Sequence, residues 1–441
     1  MAKEKVIGYL PDETPSFGKM MVFALQQVLV MFPATVTVAL LTGFHIPTTI
    51  FASGLATLCF LFITKGQIPF YFGSSFSYIA AVVSITGAAF GQVASDALIG
   101  QAQFGIMCSG IISIAAGLIV KKFGMEQIEK ILPPTVTGSI ALIIGISLAG
   151  TAITQAAGYD GVAAVASNSA WIVALVTLIA TILFSVYLKG IWGQLPILLG
   201  ILVGYVVSIP LGLVDFSAVM QDGVLAAPHF SLPVPNLTAV LAIMPIALAT
   251  IPESTAHLFQ LDIYVNDVAK KKGKAAYKIA DKLGLNLIGD GIGDIVASVF
   301  GGPGGTNYGE NISVMAITRN FSSKMVGVAA IMAMLLAFVR PLTNLINTIP
   351  APVINGACIF LFGVIGVQGV AIMINRRVDL FDAKNLAVVA VMLVIGLGGH
   401  YGFPNAMIPF FGIELPAIAT AAVIGILLNW VLSFGADNEH A

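Results

Sequence analysis

The chain has 441 residues, of which 58% are hydrophobic and only 9% are charged. A soluble domain of ordinary composition carries about 25% charged residues, so this composition excludes an ordinary soluble protein and indicates an integral membrane protein. The net charge of −1 at pH 7 points to no nucleic-acid partner, and the three cysteines lie inside apolar stretches, which indicates no disulfide framework. The sequence predicts no cofactor and no metal site.

Fourteen apolar segments follow one another along the chain, and most are close to the roughly 20 residues that a membrane-spanning helix needs. They lie near residues 20–43, 47–64, 67–86, 100–120, 131–154, 169–188, 194–214, 237–260, 283–300, 303–318, 325–347, 350–375, 386–400 and 414–436. We predict an all-α polytopic protein, embedded in a lipid bilayer, with a single membrane unit over residues 1–436.

The Lys and Arg residues alternate along these segments. Of the 20, all but Arg340 fall in every second gap between segments. Loops rich in Lys and Arg stay on the cytoplasmic side of a bilayer. We therefore predict fourteen crossings with both termini in the cytoplasm, and outward-facing loops at 87–99, 155–168 and 215–236, which carry no Lys or Arg.

The third and tenth segments break the helical pattern. The third opens at 67–76 with Gln-Ile-Pro-Phe-Tyr-Phe-Gly-Ser-Ser-Phe, and the tenth opens at 301–310 with Gly-Gly-Pro-Gly-Gly-Thr-Asn-Tyr-Gly-Glu. Each opening suits an extended strand and precedes only about ten apolar residues, which as helix cover about half of a bilayer core. We predict a short strand and a half-helix in each segment, at matching positions of two inverted seven-segment repeats. Such a pair indicates a transporter's midplane binding site.

Few ionisable side chains besides Arg340 lie well inside the apolar segments. Each costs a few kcal/mol near the bilayer centre, so a functional role is the first interpretation. Glu253 and His257 share a helix face, where a histidine beside a carboxylate suits proton coupling. Asp290 and Asp294 also share a face, and we expect Asp294 to lie near a helix end beside glycine-rich backbone and to matter less for ligand binding. The full set is Glu253, His257, Asp290, Asp294 and Glu310.

The predicted half-helices indicate what kind of ligand would bind. They would begin near Phe76 and Glu310, where the first backbone N–H groups lack intrahelical partners and suit carbonyl or anionic oxygens. The carboxylates of Glu253 and Glu310 add acceptors for N–H groups. A small planar molecule with both C=O and ring N–H groups, such as the nucleobase uracil, would satisfy both. Two carboxylates would repel a simple inorganic anion.

Three motifs resemble those of the nucleobase–cation symporter (nucleobase–ascorbate transporter) family. Residues 306–319, Thr-Asn-Tyr-Gly-Glu-Asn-Ile-Ser-Val-Met-Ala-Ile-Thr-Arg, resemble the family signature, in the Tyr-Gly-Glu-Asn-Ile form typical of bacterial uracil permeases. Residues 73–76, Gly-Ser-Ser-Phe, and 252–257, Pro-Glu-Ser-Thr-Ala-His, resemble its third- and eighth-segment motifs. The resemblance covers nearly the whole chain.

The resemblance implies a transporter and not an enzyme. Such a transporter would import uracil with protons across a bacterial-type plasma membrane by alternating access. It implies a core domain from segments 1–4 (about 20–120) and 8–11 (about 237–347). A gate domain would comprise segments 5–7 (about 131–214) and 12–14 (about 350–436). Members of the family are often homodimers.

The resemblance also implies the site residues. The carboxylates of Glu253 and Glu310 would hold the N–H groups of the base, while the backbone at Phe76 and Gly309 would contact it. The implied substrate-binding residues are Glu253, Glu310, Phe76, Gly309, Tyr308 and Ala34. Proton coupling is implied for His257, Glu253 and Glu310, with Asp290, Asn311 and Ser75 as supporting residues.

Several positions depart from the pattern of uracil permeases. Ser313 stands where the family signature has Gly, and Gln26-Gln27 stands where the first segment has Gln-His. The Glu-Ser-Thr motif at 253–255 and Asp290 resemble the corresponding residues of purine carriers. The alternative interpretations are therefore a xanthine or urate carrier, or a sodium-coupled member of the same family. A sulfate-type anion transporter of the same presumed fold is the less favoured alternative, because such transporters lack the pair of carboxylates found here at Glu253 and Glu310.

Overall fold

A computed structural model describes residues 8–124, 133–159, 167–190, 192–217, 219, 223–411 and 413–436. The start of the predicted fifth segment, and parts of the predicted outward loops at 155–168 and 215–236, lie outside these residues. The same is true of the cations Lys3, Lys5 and Lys130. The protein is mostly helical.

The first half of the chain contains eight α-helices, one strand and two short 3₁₀ turns, at Phe76–Tyr78 and Trp192–Gln194. The elements are α1 (Phe17–Thr42), α2 (Ile46–Ile63), β1 (Phe72–Ser74), α3 (Ile79–Thr86), α4 (Asp96–Phe123), α5 (Pro134–Ser147), α6 (Ala149–Ala156), α7 (Asn168–Tyr187) and α8 (Pro196–Ser208). These counts apply to the part of the chain described above.

The second half continues with the same kind of element. It comprises α9 (Leu237–Ile243), α10 (Ala247–Lys271), α11 (Leu283–Val299), β2 (Gly305–Asn307), α12 (Gly309–Thr318), α13 (Ser323–Leu336), α14 (Arg340–Asn347), α15 (Ala351–Asn375), α16 (Ala383–Leu393), α17 (Gly399–Gly402), β3 (Met407–Phe410), β4 (Ile413–Pro416) and α18 (Ala417–Ala436). Strands β3 and β4 form a separate antiparallel pair.

Within the described residues, eight helical stretches are long and apolar enough to cross a membrane. They are α1, α2, α4, Pro134–Ala156, α7, Leu237–Lys271, α15 and Ala383–Gly402. Four shorter apolar helices lie at Phe76–Thr86, Pro196–Ser208, Ser323–Leu336 and Ala417–Ser433. The polytopic character is therefore confirmed, and the count of fourteen crossings stays a prediction.

Two predicted segment boundaries are wrong. The eleventh segment, predicted as one stretch over 325–347, is divided between α13 and the eight-residue α14. Pro341 in the first turn of α14 favours a new helix start there, since proline fits the first helical positions. The eighth segment, predicted to end near 260, continues as α10 to Lys271, because its polar last turns remain helical beyond the apolar stretch.

Strands β1 and β2 pair antiparallel, with Phe72 opposite Asn307 and Ser74 opposite Gly305. The strand-plus-half-helix structure predicted for the third and tenth segments is therefore confirmed. Each strand belongs to a different half of the chain, and each is followed directly by a short helix. The pair satisfies backbone groups that lipid could not, which permits extended chain inside a membrane protein.

Close backbone contact fixes α11 against α4. A Cβ atom at Gly291 would lie 2.3 Å from the carbonyl oxygen of Gly110, and one at Gly284 would lie 2.7 Å from that of Gly117. Only glycine permits this approach without displacing backbone. The contact sets the position of α11, which carries Asp290 and Asp294.

The N-terminal segment 9–13 is bound to the loops on the side that we predict to be cytoplasmic. The amide of Tyr9 donates to the Arg319 carbonyl at 2.8 Å, and the Phe321 amide donates to the Tyr9 carbonyl at 2.9 Å. Glu13 accepts a hydrogen bond from Lys272 at 2.5 Å. This segment, called the N-terminal strap below, therefore connects the loop after α12 with the end of α10.

Candidate functional site

The strand pair brings the beginnings of two short helices together. Beyond the paired strands, the Ser75 amide donates to the Gly304 carbonyl and the Tyr308 amide donates to the Tyr71 carbonyl, both at 3.0 Å. Gly73 has a clear reason to be glycine, because a Cβ there would lie 2.4 Å from the ring of Tyr308. The two helix beginnings predicted from sequence therefore lie on either side of one short ladder.

Tyr308 fastens this ladder to α1. Its hydroxyl donates to the Ser74 carbonyl at 2.8 Å and pairs with the Thr35 hydroxyl at 3.1 Å. The side chain is only 4% exposed. Thr35 follows the buried Ala34, a predicted lining residue, so the same bond places that part of α1 beside the ladder. The hydroxyl of Tyr308 is therefore engaged within the protein.

The two helix beginnings differ in their capping. At the first, the Ser75 hydroxyl accepts from the Ser77 amide at 3.2 Å. At the second, Tyr308 is the N-cap residue and provides no side-chain cap, while Glu310 lies in the first turn. The first amides of an α-helix have no intrahelical partners, so the start of α12 presents free donors next to a carboxylate.

Glu253 extends from α10 toward the first helix beginning. The Ser77 hydroxyl donates to its carboxylate at 3.4 Å. Glu253 is half-buried, Glu310 is exposed, and Glu253 lies within electrostatic range of both Glu310 and His257. The structure therefore brings together the two carboxylates, the half-buried Phe76 and the start of α12. These are the groups that sequence analysis predicted to meet.

His257 is bonded to β2. Its Nδ1 atom lies 2.9 Å from the Asn307 backbone carbonyl oxygen and 2.8 Å from the Asn307 side-chain oxygen. Because a carbonyl only accepts, Nδ1 carries the proton in this arrangement. A Cβ at Gly309 would lie 2.7 Å from Nε2, so that nitrogen packs against the start of α12. Among the described side chains, His257 is therefore joined to Asn307 and not to Glu253.

A buried polar chain continues from Asn307 to Asp290. The Asn307 amide donates to the Ser254 hydroxyl at 2.9 Å, and the Asn286 amide donates to the same oxygen at 2.7 Å. The Ser254 hydroxyl in turn donates to Asp290. The second oxygen of the Asp290 carboxyl is buried and has no hydrogen-bond partner among the residues that the structure describes.

This buried polar chain contains three residues that sequence analysis did not single out, Ser254, Asn286 and Asn307. Ser254 directly follows Glu253, and Asn307 lies inside residues 306–319, so both belong to the stretches that resemble family motifs. Ser77 and Thr35 were missed as well, and no motif marked them. The signal for Ser254 and Asn307 was present, but their partners depend on how α10 and α11 face each other.

Asp294 joins the two broken segments. Its carboxylate accepts from the Gly305 amide at 2.7 Å and from the Tyr78 hydroxyl at 3.0 Å. The predicted position beside glycine-rich backbone is confirmed. The residue is only 2% exposed, so its carboxylate is buried and does not reach water at the helix end. Asp294 therefore links β2 to the turn at Phe76–Tyr78, which follows β1, through two buried hydrogen bonds.

Asn311 connects α12 with α1. Its side-chain amide donates to the backbone carbonyl of Gln27 at 3.0 Å and to the Gln27 side-chain oxygen at 2.8 Å. Gln27 is the position at which the resembling family has a histidine. The Ser313 hydroxyl, at the other departure from the family pattern, donates to the Gly309 carbonyl at 3.0 Å and so remains within its own helix.

Comparison with known proteins identifies the family. The profile of the permease family matches residues 18–405. The chain belongs to this family. It is 37% identical over 430 residues to the uracil permease of Bacillus caldolyticus, covering 96% of this chain and 94% of that protein. It is 34% identical over 443 residues to the uracil permease of Bacillus subtilis, covering 98% and 96%. The predicted family is therefore confirmed, and the protein is an integral membrane transporter.

Solved structures show the fold. The murine Solute Carrier 26 family member A9 anion transporter, in its inward-facing state, superposes with a TM-score of 0.67 at 12% identity. The match covers 99% of this chain and 73% of that chain. At this identity the likeness concerns the fold alone.

Proposed function

We propose that this permease imports uracil together with protons across a bacterial plasma membrane by alternating access. The observation that carries the proposal is the antiparallel pairing of β1 with β2 beside Glu253 and Glu310. The names of the two Bacillus relatives support uracil as the substrate.

The chemistry of uracil fits the groups at this site. Its ring has two N–H donors and two carbonyl acceptors. The carboxylates of Glu253 and Glu310 would accept from the N–H groups, while the amides at Phe76 and Gly309 would donate to carbonyl oxygens. Ala34 would line the site from α1. Tyr308 would act mainly by holding the strands in position, because its hydroxyl is already engaged.

Proton coupling would use His257 with Glu253 and Glu310. His257 contacts the start of α12 through Nε2 and reaches Asp290 through Asn307 and Ser254. A change in its protonation would therefore act on the backbone that holds the substrate carbonyls. Ser75 and Asn311 would support the site, the first by capping and the second by fastening α12 to α1.

The proposal includes the arrangement in the membrane. Fourteen segments would form two inverted repeats of seven, with both termini in the cytoplasm. Segments 1–4 and 8–11 would form a core that moves against a gate of segments 5–7 and 12–14. The pairing of one strand from each half of the chain supports a two-fold relation between the halves. Members of such a family are often dimers, and we propose a homodimer here.

Uptake of labelled uracil into proteoliposomes tests the function. We expect an inward proton gradient to drive accumulation and an uncoupler to abolish it. Unlabelled uracil should compete better than xanthine, hypoxanthine or thymine. Stronger competition by xanthine would replace the proposal with a purine carrier, and accumulation driven only by a sodium gradient would replace the coupling ion. Transport of an inorganic anion without uracil uptake would replace the proposal with an anion transporter of the same fold.

A further inference from the structure

A cluster of three metal-ligating side chains lies away from the proposed uracil site. It consists of His45, Asp96 and His229. Nε2 of His229 lies 3.0 Å from both carboxylate oxygens of Asp96, and Nε2 of His45 lies 3.9 Å from one of them. One ligand atom from each of the three residues can be chosen so that all lie within 4.8 Å of one another. The two imidazole rings have centroids 4.4 Å apart.

Each of the three side chains is held by its own structural element. His45 is the N-cap residue of α2, Asp96 is the first residue of α4, and His229 lies in the chain before α9. The Thr48 hydroxyl donates to the His229 backbone carbonyl at 2.5 Å, which fastens that chain to α2. The three groups are therefore brought together by backbone structure and not by flexible side chains alone.

The spacing suits a metal ion. Zinc binds imidazole nitrogen and carboxylate oxygen at about 2.0–2.2 Å, so neighbouring ligand atoms in a tetrahedral site lie roughly 3.3 Å apart. The observed 3.0 Å and 3.9 Å separations lie on either side of that value. The side chains of His45, His229 and Asp96 are 26%, 51% and 61% exposed, so an ion and a completing water have access.

We propose that His45, Asp96 and His229 form a binding site for one divalent transition-metal ion of the zinc class. Two imidazoles and one carboxylate suit ions of this class better than they suit magnesium or calcium, because magnesium and calcium favour oxygen ligands. Sequence analysis predicted no metal site because the ligands are not arranged in a local motif, with Asp96 and His229 separated by 133 positions.

The position of the site indicates what bound metal would do. His45 and His229 line a cavity of about 240 Å3 that is also lined by Arg340 and Asn344 of α14. The chain before α9 connects the proposed gate to the proposed core, and helix α14 ends the core directly before α15 of the gate. A metal ion would cross-link the chain before α9 to α2 and α4.

Zinc binding to the purified full-length protein tests the site directly. With any affinity tag removed, we expect calorimetry with ZnCl2 to give one ion per chain in the wild type. His229→Ala and Asp96→Asn should each weaken binding by about tenfold or more, since each removes a ligand. His400→Ala, which removes a histidine outside the cluster, should leave the affinity within about twofold.

A second pair of measurements separates ligation from a structural role. His229→Cys should restore zinc binding, because a thiolate is also a zinc ligand, whereas a purely structural histidine would not be rescued. Zinc should also raise the melting temperature of the wild type but not of Asp96→Asn, because only the native site binds the ion. No stoichiometric binding to the wild type, or unchanged affinity in both His229→Ala and Asp96→Asn, would overturn the proposal. Failure of the cysteine to rescue would overturn direct ligation.

Discussion

The two strand-and-helix units of this permease have similar backbones and different chemistry. The first, β1 with the turn at Phe76–Tyr78 and α3, caps its own beginning through Ser75. The second, β2 with α12, has no side-chain cap and carries the exposed Glu310 in its first turn. The carboxylate beside the first unit belongs to a different element, because the Ser77 hydroxyl donates to Glu253 of α10.

This difference shows how a nearly symmetric pair can bind an asymmetric ligand. The strands give two similar helix beginnings, while the carboxylates come from different elements. The two units are also held together by one buried group, since Asp294 accepts from Gly305 in one and from Tyr78 in the other. The comparison therefore separates residues that would contact uracil from residues that position the units.

The largest effect is expected from the carboxylate of the second unit. Glu310→Gln should abolish measurable uracil binding at concentrations that saturate the wild type. The amide puts a donor where the base presents N–H, and loss of a partner for a buried polar group costs about 1–3 kcal/mol or more. Glu253→Ala removes an acceptor without adding a donor, so it should weaken uracil binding by about tenfold or more and leave it measurable. Asp267→Asn, an exposed carboxylate of α10 paired with Lys271, is the matched control. A binding constant within twofold of wild type would remove Glu310 from the site.

The next effect concerns coupling. His257→Ala should reduce accumulation driven by a pH gradient much more than it reduces uracil binding at fixed pH. The histidine lies against the start of α12, and an imidazole is the side chain best suited to passing a proton between partners. Counterflow exchange, which needs no net proton movement, should survive better than accumulation in the same proteoliposomes. Equal loss of both would mean that His257 organises the site without carrying the proton.

A moderate effect is expected from substituting Asp294, whose carboxylate links the two units. Sequence alone predicted that Asp294→Asn leaves binding largely intact. Because Asp294 bonds both broken segments, we now expect the change to lower the free energy of unfolding by about 1 kcal/mol and to weaken uracil binding less than Glu310→Gln does. Thermal unfolding and calorimetry on one preparation measure both quantities. If Asp294→Asn weakened binding more than Glu310→Gln, the division into contacting and positioning residues would be wrong.

The smallest effect concerns the N-terminal strap, which is bonded to the loop after α12 and to the end of α10. Burial of the Glu13 carboxyl raises its pKa, but hydrogen bonds from Lys272, the Leu10 amide and Lys274 outweigh burial and lower the pKa from 4.5 to about 2. Because the folded-state pKa lies below the unfolded one, this group stabilises the fold above pH 4.5 and loses that contribution as the pH falls toward 2.

Glu13→Gln should therefore lower the melting temperature at pH 7 by a few degrees at most, and the difference from wild type should shrink as the pH falls below 4.5. Uracil binding at pH 7 should be unchanged, since the strap is bonded to the loop after the end of α12 and not to the start of that helix. A difference in melting temperature that grows on acidification would contradict the assigned pKa direction.

Sequence patterns predicted the parts of the site that depend on backbone propensity. The glycine- and proline-rich openings at 67–76 and 301–310, each before a short apolar stretch, correctly indicated two extended segments. The bonds of His257 to Asn307 and of Ser254 to Asp290 could not be predicted, because they depend on the rotation of α10 and α11 about their axes. The expected Glu253–His257 pairing followed from spacing on one helix, and a partner on β2 took the histidine instead.

The boundaries that failed have a common physical cause. Apolar length alone joined α13 to α14, although Arg340 and Pro341 mark a new helix start. It also ended the eighth segment near 260, although α10 continues with polar residues to Lys271. Hydropathy indicates where a chain can meet lipid, whereas helix ends are set by capping and by packing against other elements.

The central claim is that Glu253 and Glu310 accept the two N–H groups of uracil. Its most direct test is the affinity of uracil, 1-methyluracil and 3-methyluracil for the wild type, Glu253→Ala and Glu310→Ala. Each methyl group removes one N–H, so both derivatives should bind the wild type about tenfold or more weakly than uracil does. In each alanine variant the penalty for one derivative should disappear, and it should be a different derivative in the two variants. Full penalties for both derivatives in both variants would contradict the account.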